Sequence, residues 1–525
     1  MYAVRLPVLL FVSALVCVDG QAADPLPAMT QAPTAAVRLT PEPGPAPRIN
    51  GARVFGARPG APLMFKVAAT GQKPLKYAAA GLPTGLGIDA DTGVITGRVE
   101  KAGQYRVALQ VQNSVGKAAR ELLIKIGEDI CLTPPMGWNS WNCWNVTVDH
   151  DKVIASAQAV VDKGLIDHGW TYINIDDTWQ GLRSGKNKAL QANEKFPDMK
   201  ALCDRIHNMG LKIGIYSTPW ITSYAGFCGG SSDSEDGTWS AEAYAGKNKK
   251  AGHRLGKYPF DRADAKQWAE WGFDYLKYDW RPNDVPSVQR MADALRHCGR
   301  DIVYSLSNCA PLDNAAEYFK VANCYRTTGD IRDDWRKGAG FDKFVGITDI
   351  WDFQEKWREC CGPGHYPDPD MLVVGKVGWR ATPMPSKLTP DEQYVHISLW
   401  CLWSAPLLIG CPIEQIDDFT LGLLTNDEVL EVSQDPLCQM AKTVVNDGTH
   451  YVLIKKMEDG SLAVGLLSRA EQPEEVTADW QSLGLSGKQR VRDLWRQKDL
   501  GAFDERFTAT VNRHGVVLVR VTPAK

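Results

Sequence analysis

The chain has little net charge, few metal-type cysteine motifs and no long apolar segment beyond its first residues, and each shortage excludes a class of function. Its 525 residues carry a formal net charge of -3 with a pI near 6.3, so charge does not favour nucleic acid or an anionic membrane as a partner. The cysteines form no repeated Cys-x-x-Cys pairs, and the adjacent residues Cys360 and Cys361 lack the spacing of zinc ligands, so the spacing does not favour a zinc site. The sequence therefore predicts a neutral ligand and no metal or cofactor.

Residues 1–23 have the pattern of a secretory signal peptide. Arg5 supplies the positive start, Leu6 to Val18 form an apolar run too short to span a bilayer, and small residues precede position 24. We therefore expect a secreted or periplasmic protein that is not membrane-bound after cleavage. Removing Cys17 with the signal leaves twelve of the 13 cysteines, an even number in an oxidising compartment, which favours some disulfide bonds without indicating their pairing.

Composition divides the remainder into four segments. Residues 24–48 are rich in Pro, Ala and Thr and predict an extended, mobile linker. Residues 49–128 contain short alternating runs broken by turn residues, the pattern of an Ig-like β-sandwich. Residues 439–525 return to alternating runs and predict a C-terminal antiparallel β-sandwich against the flank of the segment before it.

Residues 129–438 alternate short apolar runs with amphipathic helical stretches. About 300 residues of this alternation predict an α/β fold, a (β/α)8 TIM barrel, with its active site at the C-terminal ends of the strands. Strands are predicted at 211–216, 274–279, 302–306 and 405–410, and helices at 151–163, 198–209, 264–272 and 284–298. Polar residues end or follow several of the apolar runs, as a barrel active site requires: Asp176, Asp177, Tyr216, Asp279 and Ser307.

Two aspartates are candidate catalytic carboxylates. Asp279 ends an apolar strand-like run, and Lys277 points to the same face of that strand, where it is expected to keep Asp279 ionised. Asp330 lies downstream in the run Arg326-Thr-Thr-Gly-Asp330. Retaining hydrolysis of a glycosidic bond needs one carboxylate as nucleophile and a second as proton donor. A structural ion pair between Lys277 and Asp279 is the alternative interpretation.

Seven ordered blocks over about 300 residues resemble the α-galactosidase and α-N-acetylgalactosaminidase family, glycoside hydrolase family 27. The segment from Gly81 to Gly97 likewise resembles Ig-type modules that precede catalytic domains in secreted bacterial enzymes. The seven blocks are Pro135-Met-Gly-Trp-Asn-Ser-Trp141, Ile175-Asp-Asp177, Gly214-Ile-Tyr216, Tyr275-Leu-Lys-Tyr-Asp279, Arg326 to Asp330, Asp368-Pro-Asp370-Met371 and Ser433-Gln-Asp-Pro436.

The resemblance implies a role for each matched position. Asp279 would be the nucleophile and Asp330 the acid/base, about 5 Å apart, with less charge compensation around Asp330. Asp176 and Asp177 would accept hydrogen bonds from the 4- and 6-hydroxyls of the sugar, Lys277 and Arg326 would donate to ring hydroxyls, and Asp370 would accept one. Trp141 and Tyr216 would form the apolar wall. The implied partner is an α-galactoside oligosaccharide or glycoconjugate; the oligomeric state stays open.

Several positions depart from the family pattern. Trp280 follows the nucleophile, and Tyr224 stands where a local disulfide would place a cysteine, so that disulfide is expected to be absent. Trp280, with Trp220, is expected to reshape the mouth of the pocket. Ser307 and Ala310 are small and resemble members that accept an N-acetyl group at the 2-position; Trp280 refilling that space favours galactose.

Other interpretations remain beside α-galactosidase. These are α-N-acetylgalactosaminidase and a non-catalytic galactoside-binding protein. Asp177 argues against a β-L-arabinopyranosidase, because L-arabinopyranose lacks the hydroxymethyl group that Asp177 would bind.

A metal site at Asp176, Asp177, Asp368 and Asp370 is disfavoured because Lys277 and Arg326 would compete with the cation. The adjacent Asp333 and Asp334 are expected to be exposed residues at a helix start.

Overall fold

The structure, a computed structural model, describes residues 36–338 and 340–524 in three folded domains. The predicted signal peptide and the first part of the predicted linker lie outside the described residues. Within the described part of the chain, no helix combines the length and apolarity needed to cross a bilayer. The predicted fold class is confirmed: an α/β barrel lies between an N-terminal Ig-like sandwich and a C-terminal antiparallel sandwich.

The N-terminal domain is a sandwich of a four-stranded and a three-stranded sheet, extended by a short two-stranded ladder. Alternation along its longest strand, Gly103–Gln112, buries Val107, Leu109 and Val111 between the sheets and exposes the residues between them. The strands are Arg48–Ile49, Val54–Ala57, Leu63–Lys66, Ala69–Thr70, Lys76–Ala80, Leu86–Ile88, Val94–Gly97, Gly103–Gln112 and Lys117–Ile126.

The described end of the predicted linker packs against the barrel. The Leu39 amide donates to the Tyr394 hydroxyl (2.9 Å), and the Thr40 hydroxyl donates to the Gly422 carbonyl (2.7 Å). Thr40 is 5% exposed and also accepts a bond from Asn426 Nδ2. The expectation of a free, mobile linker is therefore wrong for residues 39–40, because their polar groups have fixed partners on the barrel.

Salt bridges and hydrogen bonds attach the sandwich to the N-terminal end of the barrel. Arg58 Nε lies 2.6 Å from Asp301 Oδ1, just before a barrel strand, and Asn50 Nδ2 donates to the Asp167 carbonyl at 3.0 Å. Lys73 pairs with Asp167 at 2.9 Å. The Ig-like domain therefore lies at the end of the barrel opposite the C-terminal ends of its strands.

The barrel is an eight-stranded parallel sheet in the order β7-β6-β5-β4-β3-β2-β1-β8, and the pairing of Leu372, just after β7, with Ile409 closes it. Its strands are nearly continuous apolar runs because both faces are covered. The predicted strands are confirmed to within two residues at each end. In chain order β1 to β8 are Met136–Asn139, Tyr172–Asn174, Lys212–Ser217, Tyr275–Asp279, Val303–Ser307, Cys324–Arg326, Tyr366–Asp368 and Leu407–Ile409.

Helices cover the outside of the barrel, and aspartates begin several of them. Asp149, Asp198 and Asp284 each accept a backbone N–H of the first turn, as good N-caps do. The four predicted helices are confirmed, with ends shifted by one to three residues. The main helices are His150–Asp162, Met199–Asn208, Asp261–Trp271, Val285–Arg296, Ala315–Val321, Ile347–Gln354, Pro390–Leu402, Asp418–Leu424 and Asp427–Ser433.

The C-terminal domain is an antiparallel sandwich that packs on the barrel helix Pro390–Leu402. Trp495 Nε1 donates to Ser398 Oγ of that helix at 2.9 Å. The twelve cysteines of the described residues are all unpaired, so the structure does not support the expectation of disulfide bonds. The strands are Lys442–Asn446, His450–Lys456, Leu462–Ser468, Glu474–Asp479, Gln489–Asp493, Lys498–Phe503, Arg506–Val511 and Val516–Pro523.

Candidate active site

The site lies where the C-terminal ends of β3 to β6 meet. Asp279 is the last residue of β4 and is paired in register with Ser307, the last residue of β5. Tyr216 of β3 is in register with Lys277. Because the strands are parallel and in register, side chains at their ends converge on one pocket.

Asp279 is buried in this pocket with one hydrogen bond. The Tyr216 hydroxyl donates to Asp279 Oδ2 at 3.0 Å, and Oδ1 has no hydrogen-bond partner among the described residues. Burial raises the pKa of Asp279 to about 7; Lys277 opposes this rise, whereas Asp330 and Asp176 add to it. The expectation that Lys277 keeps Asp279 ionised is therefore wrong below about pH 7, because burial and like charges outweigh the effect of the lysine.

Lys277 bonds to a different aspartate. Its Nζ lies 2.7 Å from Asp176 Oδ2, and Asp176 Oδ1 accepts the Asp177 amide at 2.9 Å. Burial disfavours the ammonium, yet the carboxylates of Asp176 and Asp279 outweigh this and raise the pKa of Lys277. The structural ion pair considered for Lys277 and Asp279 is thus made with Asp176 instead, and Lys277 joins the two carboxylates electrostatically.

Asp177 is held rigidly beside this pair. Its Oδ1 accepts the Thr178 amide at 2.7 Å and Gln180 Nε2 at 3.0 Å, and its Oδ2 accepts the Ala225 amide at 2.9 Å. A carboxylate offers about four acceptor positions, so these bonds leave about one for a ligand hydroxyl.

Arg326, the last residue of β6, links two further aspartates. Its Nη2 lies 2.7 Å from Asp370 Oδ2 and 3.2 Å from Asp330 Oδ1. The Asp330 side chain is 48% exposed, whereas those of Arg326 and Asp370 are both 4% exposed. The expectation of less charge compensation around Asp330 than around Asp279 is therefore wrong, since the Arg326 guanidinium contacts Asp330 directly.

Asp368 and Asp370 lie on the same loop. The Asp370 amide donates to Asp368 Oδ1 at 2.8 Å, and burial raises the pKa of Asp368 to about 6 despite the opposing charge of Arg326. Lys277 and Arg326 are the cations among these carboxylates. Their ammonium and guanidinium groups thus stand where the metal interpretation would need an ion.

The remaining predicted residues lie around this centre. Ser307 Oγ is 3.5 Å from Arg326 Nη1, and the Ala310 amide donates to the Arg326 carbonyl at 2.7 Å, so both adjoin the arginine. Half-buried Trp141 packs against the apolar cluster inside the barrel that includes Met371.

Tyr224 is a site residue that the sequence did not reveal as such. Burial raises the pKa of its phenol, and the carboxylates of Asp279 and Asp330 raise it further, so the phenol is within electrostatic range of both. Its ring packs against Trp220 with centroids 5.1 Å apart, and Trp220 stacks on His253. Tyr224 lies in a long loop after β3 where no periodicity marks it.

Family models match all three domains. A model described as alpha galactosidase A matches residues 133–251 and 242–435, one for the alpha galactosidase C-terminal beta sandwich domain matches 447–521, and an Ig domain model matches 46–126. Alpha-galactosidase 2 of Arabidopsis thaliana is 34% identical over 404 residues, 75% of this chain and 91% of the relative.

The chain belongs to the α-galactosidase family, glycoside hydrolase family 27. It is therefore a glycoside hydrolase. The crystal structure of a Bacteroides fragilis protein, 30% identical, covers 91% of this chain and 98% of its own, with a TM-score of 0.81. That of a family 27 β-L-arabinopyranosidase from Geobacillus stearothermophilus, 29% identical, covers 75% and 98%, with a TM-score of 0.63. The family fold alone therefore does not identify the sugar.

In this family 27 protein Trp280 points away from the pocket. It is 1% exposed, its ring packs edge-on against Tyr278 at 5.1 Å, and its Nε1 donates to Asp284 Oδ2 at 3.0 Å at the start of helix Val285–Arg296. Side chains alternate along an extended chain, so the residue after Asp279 faces the surrounding helices. The expectation that Trp280 shapes the pocket mouth or binds the sugar is wrong.

Asp333 and Asp334 do not begin a helix either. Asp333 is 2% exposed and accepts Trp379 Nε1 at 2.8 Å and the Lys387 amide at 3.0 Å. The next helix begins at Ile347. Asp333 is therefore a buried anchor for the loop after β7, which no local pattern could show.

Proposed function

We propose that this protein is an exported exo-glycosidase that hydrolyses terminal α-D-galactosyl residues with retention of configuration. In the first step an oxygen of Asp279 bonds to the anomeric carbon, the bond from that carbon to the leaving oxygen breaks, and Asp330 gives its proton to the leaving oxygen. In the second step Asp330 takes a proton from water, the water oxygen bonds to the anomeric carbon, and the ester to Asp279 breaks.

The observation that carries this proposal is the contrast between two neighbouring carboxyl groups. Asp279 is buried with one oxygen free of hydrogen bonds, as an attacking atom requires, whereas the Asp330 side chain is about half exposed and can exchange protons with solvent. Among the like charges, Asp330 raises the pKa of Asp279 the most, after the larger effects of burial and Lys277. Such electrostatic coupling is expected of two carboxyl groups that act on one bond.

The surrounding polar side chains would bind the sugar. Asp176 and Asp177 retain acceptor positions for the 4- and 6-hydroxyls, Lys277 and Arg326 donate to ring hydroxyls, and Asp370 accepts one. Trp141 and Tyr216 provide the apolar wall against the C–H face of the ring. The substrate class is α-galactosides, either oligosaccharides or glycoconjugates.

Covalent trapping tests the nucleophile. A fluorinated α-galactosyl inactivator should leave a galactosyl adduct on Asp279 that peptide mass spectrometry can locate, and Asp279→Asn should abolish turnover while galactose binding persists. A label on any other residue would refute the mechanism. A wild-type protein that binds galactosides without hydrolysing them would instead support the non-catalytic alternative.

A second candidate is α-N-acetylgalactosaminidase, and one observation favours it. Ser307 and Ala310 are small, and Trp280, which would have refilled the space for a 2-substituent, faces the outer helices. Parallel assays with aryl α-galactoside and aryl α-N-acetylgalactosaminide decide between the two. A large preference for the acetylated sugar would overturn the galactosidase assignment but leave the two-step mechanism in place.

Export is the remaining part of the proposal. It rests on the pattern of residues 1–23. Expression of the whole chain followed by N-terminal sequencing of the extracellular and periplasmic fractions should give a mature protein that begins near residue 24. Retention of the intact chain in the cytoplasm would contradict it.

A further inference from the structure

Arg332 lies between two aromatic rings close to the proposed acid/base. Its guanidinium carbon is 4.1 Å from the ring centre of Phe344 and 4.3 Å from that of Trp379. Trp379 is fixed by its bond to buried Asp333, and Phe344 is 51% exposed. The guanidinium is therefore held flat at the surface of the molecule by cation–π stacking.

This guanidinium makes no side-chain hydrogen bond or salt bridge to any of the described residues. The Arg332 backbone amide donates to the Val345 carbonyl at 2.8 Å, which fixes the residue but leaves the side-chain donors unused. An arginine carries five N–H donors in a planar fork. The aromatic stacking positions the guanidinium but does not use its N–H donors. These donors therefore remain available to a ligand at the molecular surface.

The backbone places this fork next to Asp330. Ile331 forms a parallel bridge with Val345, and the Val345 amide donates to the Asp330 carbonyl at 3.0 Å, so residues 330–332 are locally extended. Ile331 is buried on one side, and alternation places Asp330 and Arg332 on the other, about 7 Å apart. The segment 341–345 that carries Phe344 packs directly on Gly329.

We propose that Arg332 binds the sugar to which the galactosyl residue is attached, as part of a leaving-group subsite formed with Phe344 and Trp379. The inference rests on the proposed function, because it takes Asp330 as the group that protonates the leaving oxygen. Arg332 donates hydrogen bonds to hydroxyls of that second sugar ring. Phe344 and Trp379 hold the Arg332 guanidinium in position for these bonds. The ligand class is a neutral hexose joined to galactose through an alkyl oxygen.

Two substrates separate sugar binding from proton transfer. Melibiose and methyl α-galactoside both lose an alkyl oxygen that Asp330 must protonate, but only melibiose carries a second ring. Arg332→Gln should lower kcat/KM for melibiose at least about tenfold, mainly through a higher KM, because a charge-assisted hydrogen bond is lost. The same variant should leave kcat/KM for methyl α-galactoside unchanged.

Arg336→Gln is the matched control. Arg336 lies in the same loop, is exposed, and has only a loose contact of 3.9 Å with Asp349, so this variant should behave as wild type with both substrates. Equal losses of kcat/KM for both substrates in Arg332→Gln would show that Arg332 acts through Asp330. No loss for either substrate would show that Arg332 does not bind the second sugar. Either outcome overturns the inference. If the wild type hydrolyses neither substrate, the proposed function itself has failed.

Discussion

Lys277 forms a direct ion pair with Asp176, with Nζ and Oδ2 2.7 Å apart, although Asp279 is the residue two positions further along the strand that carries Lys277. The pair keeps the Lys277 ammonium near Asp279, but this ammonium does not neutralise the Asp279 carboxylate through a direct bond. The charge state of Asp279 therefore depends on a lysine whose direct bond is to another carboxylate, that of Asp176.

Replacing Lys277 should change the pH dependence of activity. Lys277 lowers the pKa of Asp279, so Lys277→Met should raise that pKa above about 7 and move the acidic limb of the kcat/KM profile to higher pH. Lys266→Met, at an exposed position of helix Asp261–Trp271, is the control and should leave the profile in place. An acidic limb that stays fixed in Lys277→Met would show that another group controls it.

Neutralising Asp279 should stabilise the fold at neutral and alkaline pH. The pKa of Asp279 is raised by folding, so the folded state holds the proton more tightly than the unfolded chain, and the charge costs stability as the pH rises from about 4 through about 7. Asp279→Asn should therefore increase the free energy of unfolding at pH 8 by about 1–4 kcal/mol and much less at pH 4. Denaturant unfolding at both pH values measures this, and equal effects would contradict the assignment.

Trp280 should matter for stability and not for sugar choice. Trp280→Phe loses the bond to Asp284 and part of the packing on Tyr278, with an expected cost of about 1–3 kcal/mol in the free energy of unfolding. Because the ring faces the helices, the ratio of kcat/KM for the two aryl glycosides should not change. A shift in that ratio would indicate that Trp280 reaches the pocket after all.

Asp370 should tolerate asparagine better than alanine. Its φ of 86° lies in the left-handed region, which asparagine adopts more readily than alanine, and its oxygens accept the Met371 and Ile331 amides. Asp370→Ala should destabilise the protein by about 1–3 kcal/mol more than Asp370→Asn, because it adds backbone strain and two unsatisfied amides. Thermal and denaturant unfolding of the two variants test this, and equal stability would refute it.

The sequence predicted the barrel and the strand ends at which most of the candidate site residues lie, because strand periodicity and the ends of apolar runs are local signals. The direction of the Trp280 side chain could also be predicted locally. Trp280 follows Asp279, which faces the pocket, and the alternation of side chains along a strand predicts that Trp280 faces outward. The partner of Lys277 was not local. Choosing Asp176 over Asp279 requires the register of β2, β3 and β4, which comes from packing.

The positions of residues in long loops could not be predicted from the sequence for a different reason. Tyr224, in the loop after β3, is electrostatically coupled to Asp279 and Asp330, and buried Asp333 accepts a hydrogen bond from Trp379, which lies 46 residues further along the chain. Neither loop has a hydrophobic period, so burial there depends on contacts between segments distant in sequence. The same holds for the stacking of Phe344 and Trp379 on Arg332.

The attachment of the Ig-like domain constrains how large substrates can reach the enzyme. Its contacts through Arg58, Asn50 and Lys73 are made at the start of barrel strands, and Leu39 and Thr40 fasten its leading segment to the barrel wall. A module fixed in that position cannot present a polysaccharide to a catalytic mouth on the far side. It braces the base of the barrel and lies away from the strand ends that carry the candidate active site.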